Sequence, residues 1–462
     1  MKELTIQQLV EATGGTLYES ANSSKMISGV EFDSRRIQPG DLFVPLTGGA
    51  TDGHTYIQKA IDQGATACLW SNPIEEALVE DLHVIQVEDT LKAFQQLAVF
   101  YRDLINPTVI GITGSNGKTT TKDMTAEALQ TRYKVHKTQG NYNNEIGLPY
   151  TILTMPEETD IIVLEMGMSG YGEIEELSLI AKPDIAVITL IGESHLEHLG
   201  SREGIAKAKL EILKGLKEDG LFIYPQNESL LQNHSKAHSL TFGLSKQSDV
   251  YAYDLVEEAT QTYFKTNLDT QVVCSIPVLG SYNVTNALIA LSIARELDVP
   301  MEQAIFKLSQ FQLTKNRLEW LETANGAKVL NDAYNASPTS MKAVLKTFSS
   351  LPIDNSSRRI VVLGDIRELG AKSKTYHQQL AEWIHPEAIQ RVYLFGPEMK
   401  VLYEALKDVY SLDTLYYEKE NHDRLISELQ QEIRSEDMIL IKSSFGTDLL
   451  QVVTALTGKA TV

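Results

Sequence analysis

The 462-residue chain is too long for one hydrophobic core and, at the usual domain size, implies about three domains. Its 41 basic against 61 acidic residues leave a net charge of −20, which excludes a nucleic-acid or anionic-membrane partner unless basic groups gather locally. No segment approaches the run of roughly 18 apolar residues that crosses a bilayer, and Met1-Lys2-Glu3-Leu4-Thr5 leads into no apolar signal region, so a cytoplasmic protein without membrane insertion is expected. Cys68 and Cys274 sit far apart with no metal-ligand spacing and read as buried apolar residues.

Residues 1 to about 105 alternate short helical and strand patterns with turn clusters at Pro39-Gly40-Asp41, Thr47-Gly48-Gly49 and Asp52-Gly53, then close on a helix from Leu91 to Leu104. Asn106-Pro107 marks a boundary. Beyond it the strands become continuous apolar runs, Val109 to Ile112, Ile161 to Leu164 and Ile185 to Ile191, each followed by a helix-compatible segment. Strands buried on both faces read this way, so 106–314 is expected to be a parallel sheet flanked by helices. Alternating Thr, Tyr and Val over 250–278 suggest an antiparallel extension, followed by helices at Val284 to Arg295 and about 301–311. From 315 to 462 the runs Val329-Leu330, Ile360 to Leu363, Val392 to Phe395 and Met438 to Ile441 alternate with helical stretches, a second doubly wound pattern.

The chemistry concentrates at strand ends. Val109 to Ile112 runs into Thr113-Gly114-Ser115-Asn116-Gly117-Lys118-Thr119-Thr120, a glycine-bracketed loop closed by Lys-Thr at a helix start. Its G-x-x-G-K-T spacing is two residues shorter than the general phosphate-loop consensus, and Ile112 stands where that consensus has glycine. Inward N–H groups and the helix terminus suit a polyphosphate, Lys118 its terminal phosphates and the Thr119 hydroxyl Mg²⁺, which points to ATP with magnesium. Glu165 ends its strand at the ligand-binding edge, as a metal ligand or as a helix cap. His195 follows the next strand; with His198 it has the spacing of a zinc pair, without a third ligand nearby. A helix over Ser201 to Leu216 would turn Lys209 inward with Ile205 and Ile212, and Lys207 outward with Glu203 and Glu211. An inward lysine either snorkels or serves as a neutral amine open to CO₂ capture or ligand contact. The amide-rich Asn141-Tyr142-Asn143-Asn144-Glu145 is a turn or a cleft lining.

Together these segments resemble the ATP-dependent Mur ligase family over nearly the whole chain. Phosphate loop, Asn-rich loop, Leu164-Glu165-Met166-Gly167 and the His195 segment occur in family order. Ala208-Lys209-Leu210-Glu211, Gly280 to Ala287, Asn316-Arg317-Leu318-Glu319 and Asn331 to Ala336 follow them. Glu31-Phe32-Asp33-Ser34-Arg35, Asp52-Gly53-His54 and Leu363 to Gly370 are similar to members that add a D-alanyl-D-alanine dipeptide. The resemblance implies an α/β protein of three domains. They are a small mixed α/β UDP-binding domain (1–105), a central parallel-sheet phosphate-loop ATPase domain (106–314) and a C-terminal Rossmann-like domain (315–462).

By the same resemblance Gly114, Ser115, Asn116, Gly117, Lys118, Thr119 and Thr120 hold ATP phosphates, Asn286 meets adenine, Arg317 a phosphate or ribose, and Asp332 the ribose. Thr119, Glu165, His195 and a carbamylated Lys209 hold Mg²⁺; Lys118, Lys209 and His195 form the catalytic set. Asp33, Ser34 and Arg35 meet the UDP part, Asn141, Asn144 and Asn335 line the substrate cleft, and Asp365, Arg367 and Glu368 take the dipeptide. Where the family more often has Lys-Gly-Ser and a polar residue, this chain reads Lys442-Ser443-Ser444-Phe445. The implied substrates are UDP-MurNAc-tripeptide and D-Ala-D-Ala, with ATP and Mg²⁺, on a monomer that closes before chemistry. A folylpolyglutamate synthase would not explain the UDP-type motifs, and a nucleotide switch would turn over ATP without an acceptor.

Overall fold

In the computed structural model the described residues are 1–18, 24–49, 51–74, 82–232, 234, 238–258, 260–312, 315–354 and 356–459. The chain divides into two compact units: Met1–Thr113 with Arg132–Val187 and Leu210–Phe222, and Gly114–Thr131 with Ile188–Lys209 and Ile223–Val462. The expected domain boundary at Thr314 lies outside the described residues.

In the first unit a five-stranded sheet runs in the order Thr16–Tyr18, His83–Gln86, Ala67–Trp70, Asp41–Phe43, Gly29–Glu31, parallel except for the antiparallel first pair. Ile37, Phe43, Ala60, Cys68, Trp70 and Val84 form a core on it, which buries Cys68 as expected. Asp89 caps the long helix Thr90–Ile105 by accepting from Lys92 N. The strands Val135–Lys137, Ile161–Glu165 and Thr108–Thr113 follow in parallel register, all buried along Ile161–Glu165, so the continuous apolar runs do mark a parallel sheet.

The expected strand over Ile185 to Ile191 stops at Ile188. The expected helix over Ser201 to Leu216 is α-helical only at Arg202–Leu210 and tightens to a 3₁₀ turn at Glu211–Lys214. Ser178 is the reason in the first unit: its Oγ donates to Ile212 O at 2.5 Å and accepts from Gly215 N at 3.1 Å, engaging groups that a continuing α-helix would use.

In the second unit Val250–Glu257, Thr262–Thr266 and Asp269–Ile276 pair antiparallel, as the alternation over 250–278 implies. The helices Ser281–Glu296 and Met301–Ser309 follow. A six-stranded sheet has the order Glu319–Glu322, Lys328–Asp332, Met438–Lys442, Arg359–Gly364, Arg391–Phe395, Leu415–Glu418, with its first pair antiparallel and the rest parallel. Separate apolar clusters contain Leu330, Val361 and Leu440 on one side and Val329, Ile360 and Ile439 on the other, the two-faced burial of a doubly wound sheet. The last strand in sequence lies between Lys328–Asp332 and Arg359–Gly364, and the register sets Lys442 opposite both Asp332 and Leu363. Asp332, Lys442 and the residues after Gly364 therefore share one carboxyl edge.

Candidate active site

The phosphate loop depends on its glycines. Gly117 has φ 83° at the start of the helix Lys118–Leu129, and a Cβ there would stand 2.7 Å from Asn286 Oδ1. A Cβ on Gly114 would stand 1.9 Å from Thr189 Oγ1. Neighbouring chain braces the loop: Thr189 Oγ1 donates to Asn116 O at 2.5 Å, Ser115 N to Leu190 O at 2.9 Å, and Gly192 N to Ser115 Oγ at 2.9 Å. These bonds explain why the preceding strand ends early, since residues 189–192 turn to hold the loop. Ser337 Oγ donates to Asn116 Oδ1 at 2.9 Å from the cap of the helix Pro338–Ser350. Lys118 Nζ folds back over the loop onto Gly114 O at 2.9 Å. Thr119 and Thr120 are buried on the first turn of the helix.

Asn286 is held inside the second unit. Its Oδ1 accepts from Thr121 Oγ1 at 3.2 Å and its Nδ2 donates to Asn283 Oδ1 at 3.1 Å, so it buttresses the loop at Gly117. Lys209 is 2% exposed, while Lys207 is exposed, the facing that the helical spacing implies. Burial, together with the positive charge of Lys118, moves the Lys209 amine well below the usual lysine range. Among the described residues no carboxylate stands within ion-pair range of it. A buried neutral amine is the form that adds CO₂.

In the first unit Glu165 lies opposite Ile112, two residues before Gly114 in the chain. It is 3% exposed; Oε1 accepts from Asn143 Nδ2 at 2.9 Å and Oε2 is buried with no hydrogen-bond partner. An unsatisfied buried carboxylate oxygen is costly, and a divalent cation satisfies it. His195, in the second unit, has φ 62° before the short helix Leu196–Leu199, and its Nδ1 lies 2.5 Å from Glu368 Oε2. His198 is exposed, and among the described residues no group of three or more His, Cys, Asp or Glu side chains gathers as a metal site.

The remaining residues fall into local networks. Arg35 binds Asp33 through Nε at 2.9 Å and Nη2 at 2.7 Å, which holds the Asp33 carboxyl at about 2; Ser34 is buried between them. Asn141 is exposed, and Asn144 Oδ1 accepts from Gly147 N at 2.9 Å at the start of the helix Gly147–Leu153. Arg317 lies over the Tyr334 ring at 4.7 Å. Lys442 is buried, donating to Asp332 Oδ2 at 2.5 Å and to Asn335 O at 2.9 Å. Asp365 Oδ1 accepts from Met399 N at 3.1 Å, and burial raises its carboxyl to about 6. Arg367 N donates to Ser444 Oγ at 3.0 Å, and its guanidinium donates to Gly446 O.

Family models match residues 26–102 (Mur ligase family, catalytic domain), 112–294 (Mur ligase middle domain) and 316–445 (Mur ligase, glutamate ligase domain). The UDP-N-acetylmuramoyl-tripeptide–D-alanyl-D-alanine ligase of Bacillus subtilis is 43% identical over 98% of both chains. The chain belongs to the Mur ligase family. Its three-domain α/β fold resembles that of MurF from Acinetobacter baumannii, with TM-score 0.87 and 28% identity over 99% of this chain and 100% of that one. MurF from Thermotoga maritima, solved in complex with ADP, matches with TM-score 0.81 and 27% identity over 93% of this chain and 97% of that one.

This Mur ligase chain also uses residues that its sequence did not single out. Asn143 holds Glu165, although it stands in the amide-rich run Asn141 to Glu145, whose spacing does not tell which amide turns inward. Thr189 and Ser337 brace the phosphate loop from positions carrying no motif.

Proposed function

We propose that this chain joins D-Ala-D-Ala to UDP-MurNAc-tripeptide with conversion of ATP to ADP and phosphate, a step of cytoplasmic peptidoglycan precursor synthesis. The observation that carries this reading is the 43% identity, over 98% of both chains, with a ligase of that specificity. We read residues 1–105 as the UDP-substrate domain, 106–314 as the ATP domain and 315–462 as the dipeptide domain of a monomer.

In this reading the substrate carboxylate takes the γ-phosphoryl group, giving an acyl phosphate and ADP, and the dipeptide amine then displaces phosphate through a tetrahedral intermediate. Gly114 to Thr120 cradle the phosphates, and Lys118 exchanges Gly114 O for a terminal phosphate oxygen. Thr119, Glu165, His195 and carbamylated Lys209 would hold Mg²⁺, which supplies charge neutralisation at the phosphoryl group. Asn286 and Arg317 serve the nucleotide and Asp332 the ribose. Asp33, Ser34 and Arg35 meet UDP, and Asn141, Asn144 and Asn335 line the substrate path. Arg367 provides the cation for the dipeptide carboxylate, with Asp365 and Glu368 on its ammonium side.

Mass spectrometry of a reaction containing UDP-MurNAc-tripeptide, ATP and Mg²⁺ tests the proposal. The expected result is one new product carrying a dipeptide with D-Ala-D-Ala and none with single amino acids. ATP hydrolysis of equal rate with and without D-Ala-D-Ala, and no new product, would replace the ligase reading with that of a nucleotide switch.

A further inference from the structure

The first unit holds a polar and aromatic cluster that none of these roles uses. Glu31, buried at the end of the strand Gly29–Glu31, accepts through Oε1 from Phe32 N at 3.0 Å and Asp33 N at 3.1 Å, closing the turn that carries Asp33, Ser34 and Arg35. Its Oε2 accepts from the Tyr150 hydroxyl at 2.9 Å and lies 3.5 Å from Arg36 Nε. Arg36 then forks, Nη1 donating to the Tyr142 hydroxyl at 3.0 Å and Nη2 to that of Tyr150 at 3.1 Å. Phe32 meets both tyrosine rings edge-on, at 5.1 Å from Tyr150 and 6.4 Å from Tyr142. Burial and the Glu31 charge push the Tyr150 phenol above its ordinary range, so at neutral pH it remains the donor.

These bonds join segments more than a hundred residues apart in sequence, Glu31 to Arg36 on one side and the loop and helix from Tyr142 to Tyr150 on the other. Apolar packing alone would join them at lower cost than a buried carboxylate. The charge does something packing does not: one oxygen of Glu31 shapes the turn while the other is fixed to Tyr150. The residue after Tyr142 is Asn143, the donor to Glu165. A series of hydrogen bonds, joined by the peptide link between Tyr142 and Asn143, thus runs from the turn assigned to UDP to the carboxylate assigned to the phosphoryl-transfer end.

We infer that Glu31, Arg36 and Tyr150 are positioning residues that clamp the UDP-binding turn to the Asn141–Glu145 loop, setting the span between the nucleotide end of the substrate and its reacting carboxylate. This inference rests on the ligase reading above. A UDP moiety alone does not extend along this span, whereas UDP-MurNAc-tripeptide occupies both of its ends. Loosening the clamp therefore affects only the longer ligand and the chemical step, since small misplacements of a reacting group are costly.

The test uses the full chain with Tyr150→Phe, Arg36→Gln and Arg36→Lys, the last keeping the charge but losing the two-pronged fork. Affinities for UDP and for UDP-MurNAc-tripeptide are measured by calorimetry, kcat and the KM for ATP by ADP release, and folding by thermal melting. Each variant is expected to lower kcat by about tenfold or more and to weaken UDP-MurNAc-tripeptide, with UDP affinity and the ATP KM within about twofold of the parent. Equal weakening of UDP and of the full substrate, or no change in either, overturns the clamp while the ligase reading stands. Failure of the parent chain to bind UDP-MurNAc-tripeptide overturns the ligase reading, and the clamp with it. Retained activity in Arg36→Lys also overturns the fork, because one ammonium would then suffice.

Discussion

Asn143 Nδ2 donates to Glu165 Oε1 at 2.9 Å, leaving the other carboxylate oxygen of this buried residue without a partner. The amide fixes the carboxylate plane, so Oε2 is presented in one orientation at the edge of the sheet. Outer-shell partners of a metal ligand typically contribute about 10- to 100-fold to affinity. Asn143→Ala is therefore expected to weaken Mg²⁺ by at least about tenfold in a titration of Mg²⁺-dependent ADP binding, with metal-free ADP binding unchanged. Unchanged Mg²⁺ dependence would remove Glu165 from the cation site.

Lys118 donates to a backbone carbonyl of its own loop, which in the proposed reading it exchanges for a phosphate oxygen. Lys118→Ala is expected to reduce ligation by at least about a hundredfold, the scale of removing one preorganised transition-state charge, while the melting midpoint stays near that of the parent. Near-normal turnover by the folded variant would sink the phosphate-loop assignment.

The two lysines of one helix should differ sharply. Lys209 is buried with a depressed amine pKa, and Lys207 is exposed on the opposite side. With ¹³C-labelled bicarbonate the parent should show a carbamate carbonyl resonance that persists in Lys207→Ala and vanishes in Lys209→Ala. Added short-chain carboxylic acids should restore part of the activity of Lys209→Ala. A carbamate signal surviving in Lys209→Ala would refute the assignment.

Asp365 gives a pH dependence with a definite sign. Its native carboxyl is raised to about 6 by burial, so the folded state binds the proton more tightly than the unfolded chain. Its contribution to stability is accordingly greatest at low pH, declines as pH rises from about 4 to about 6, and is a constant deficit above that, at most about 2–3 kcal/mol. Asp365→Asn keeps an acceptor for Met399 N–H. The variant should raise the melting midpoint at pH 7.5 and leave it nearly unchanged at pH 4; equal shifts at the two values would show that titration is not the cause.

Much of this protein is legible from local physics along the chain alone. Apolar runs bounded by turn residues located Thr108–Thr113, Ile161–Glu165 and the strands Lys328–Asp332, Arg359–Gly364, Arg391–Phe395 and Met438–Lys442 of the last sheet, because strands buried on both faces must be apolar throughout, whereas the half-buried edge strand Leu415–Glu418 carries no such run. The phosphate loop was legible because its glycines, lysine and threonine act within one turn of chain. Lys209 was separable from Lys207 because helical periodicity assigns faces within a few residues. Tertiary structure decided every pairing between distant segments. Glu368, assigned by its sequence to the dipeptide, stands against His195; Asp332 is joined to Lys442; Asn286 props Gly117. Which of four neighbouring residues, Tyr142, Asn143, Asn144 or Asn141, meets Arg36, Glu165, a helix start or solvent is likewise a matter of packing. Spacing along the chain fixes a residue's face and element, whereas its partner depends on which other element packs there, and the bond energy of a few kcal/mol that rewards the pair exists only once both have been brought together.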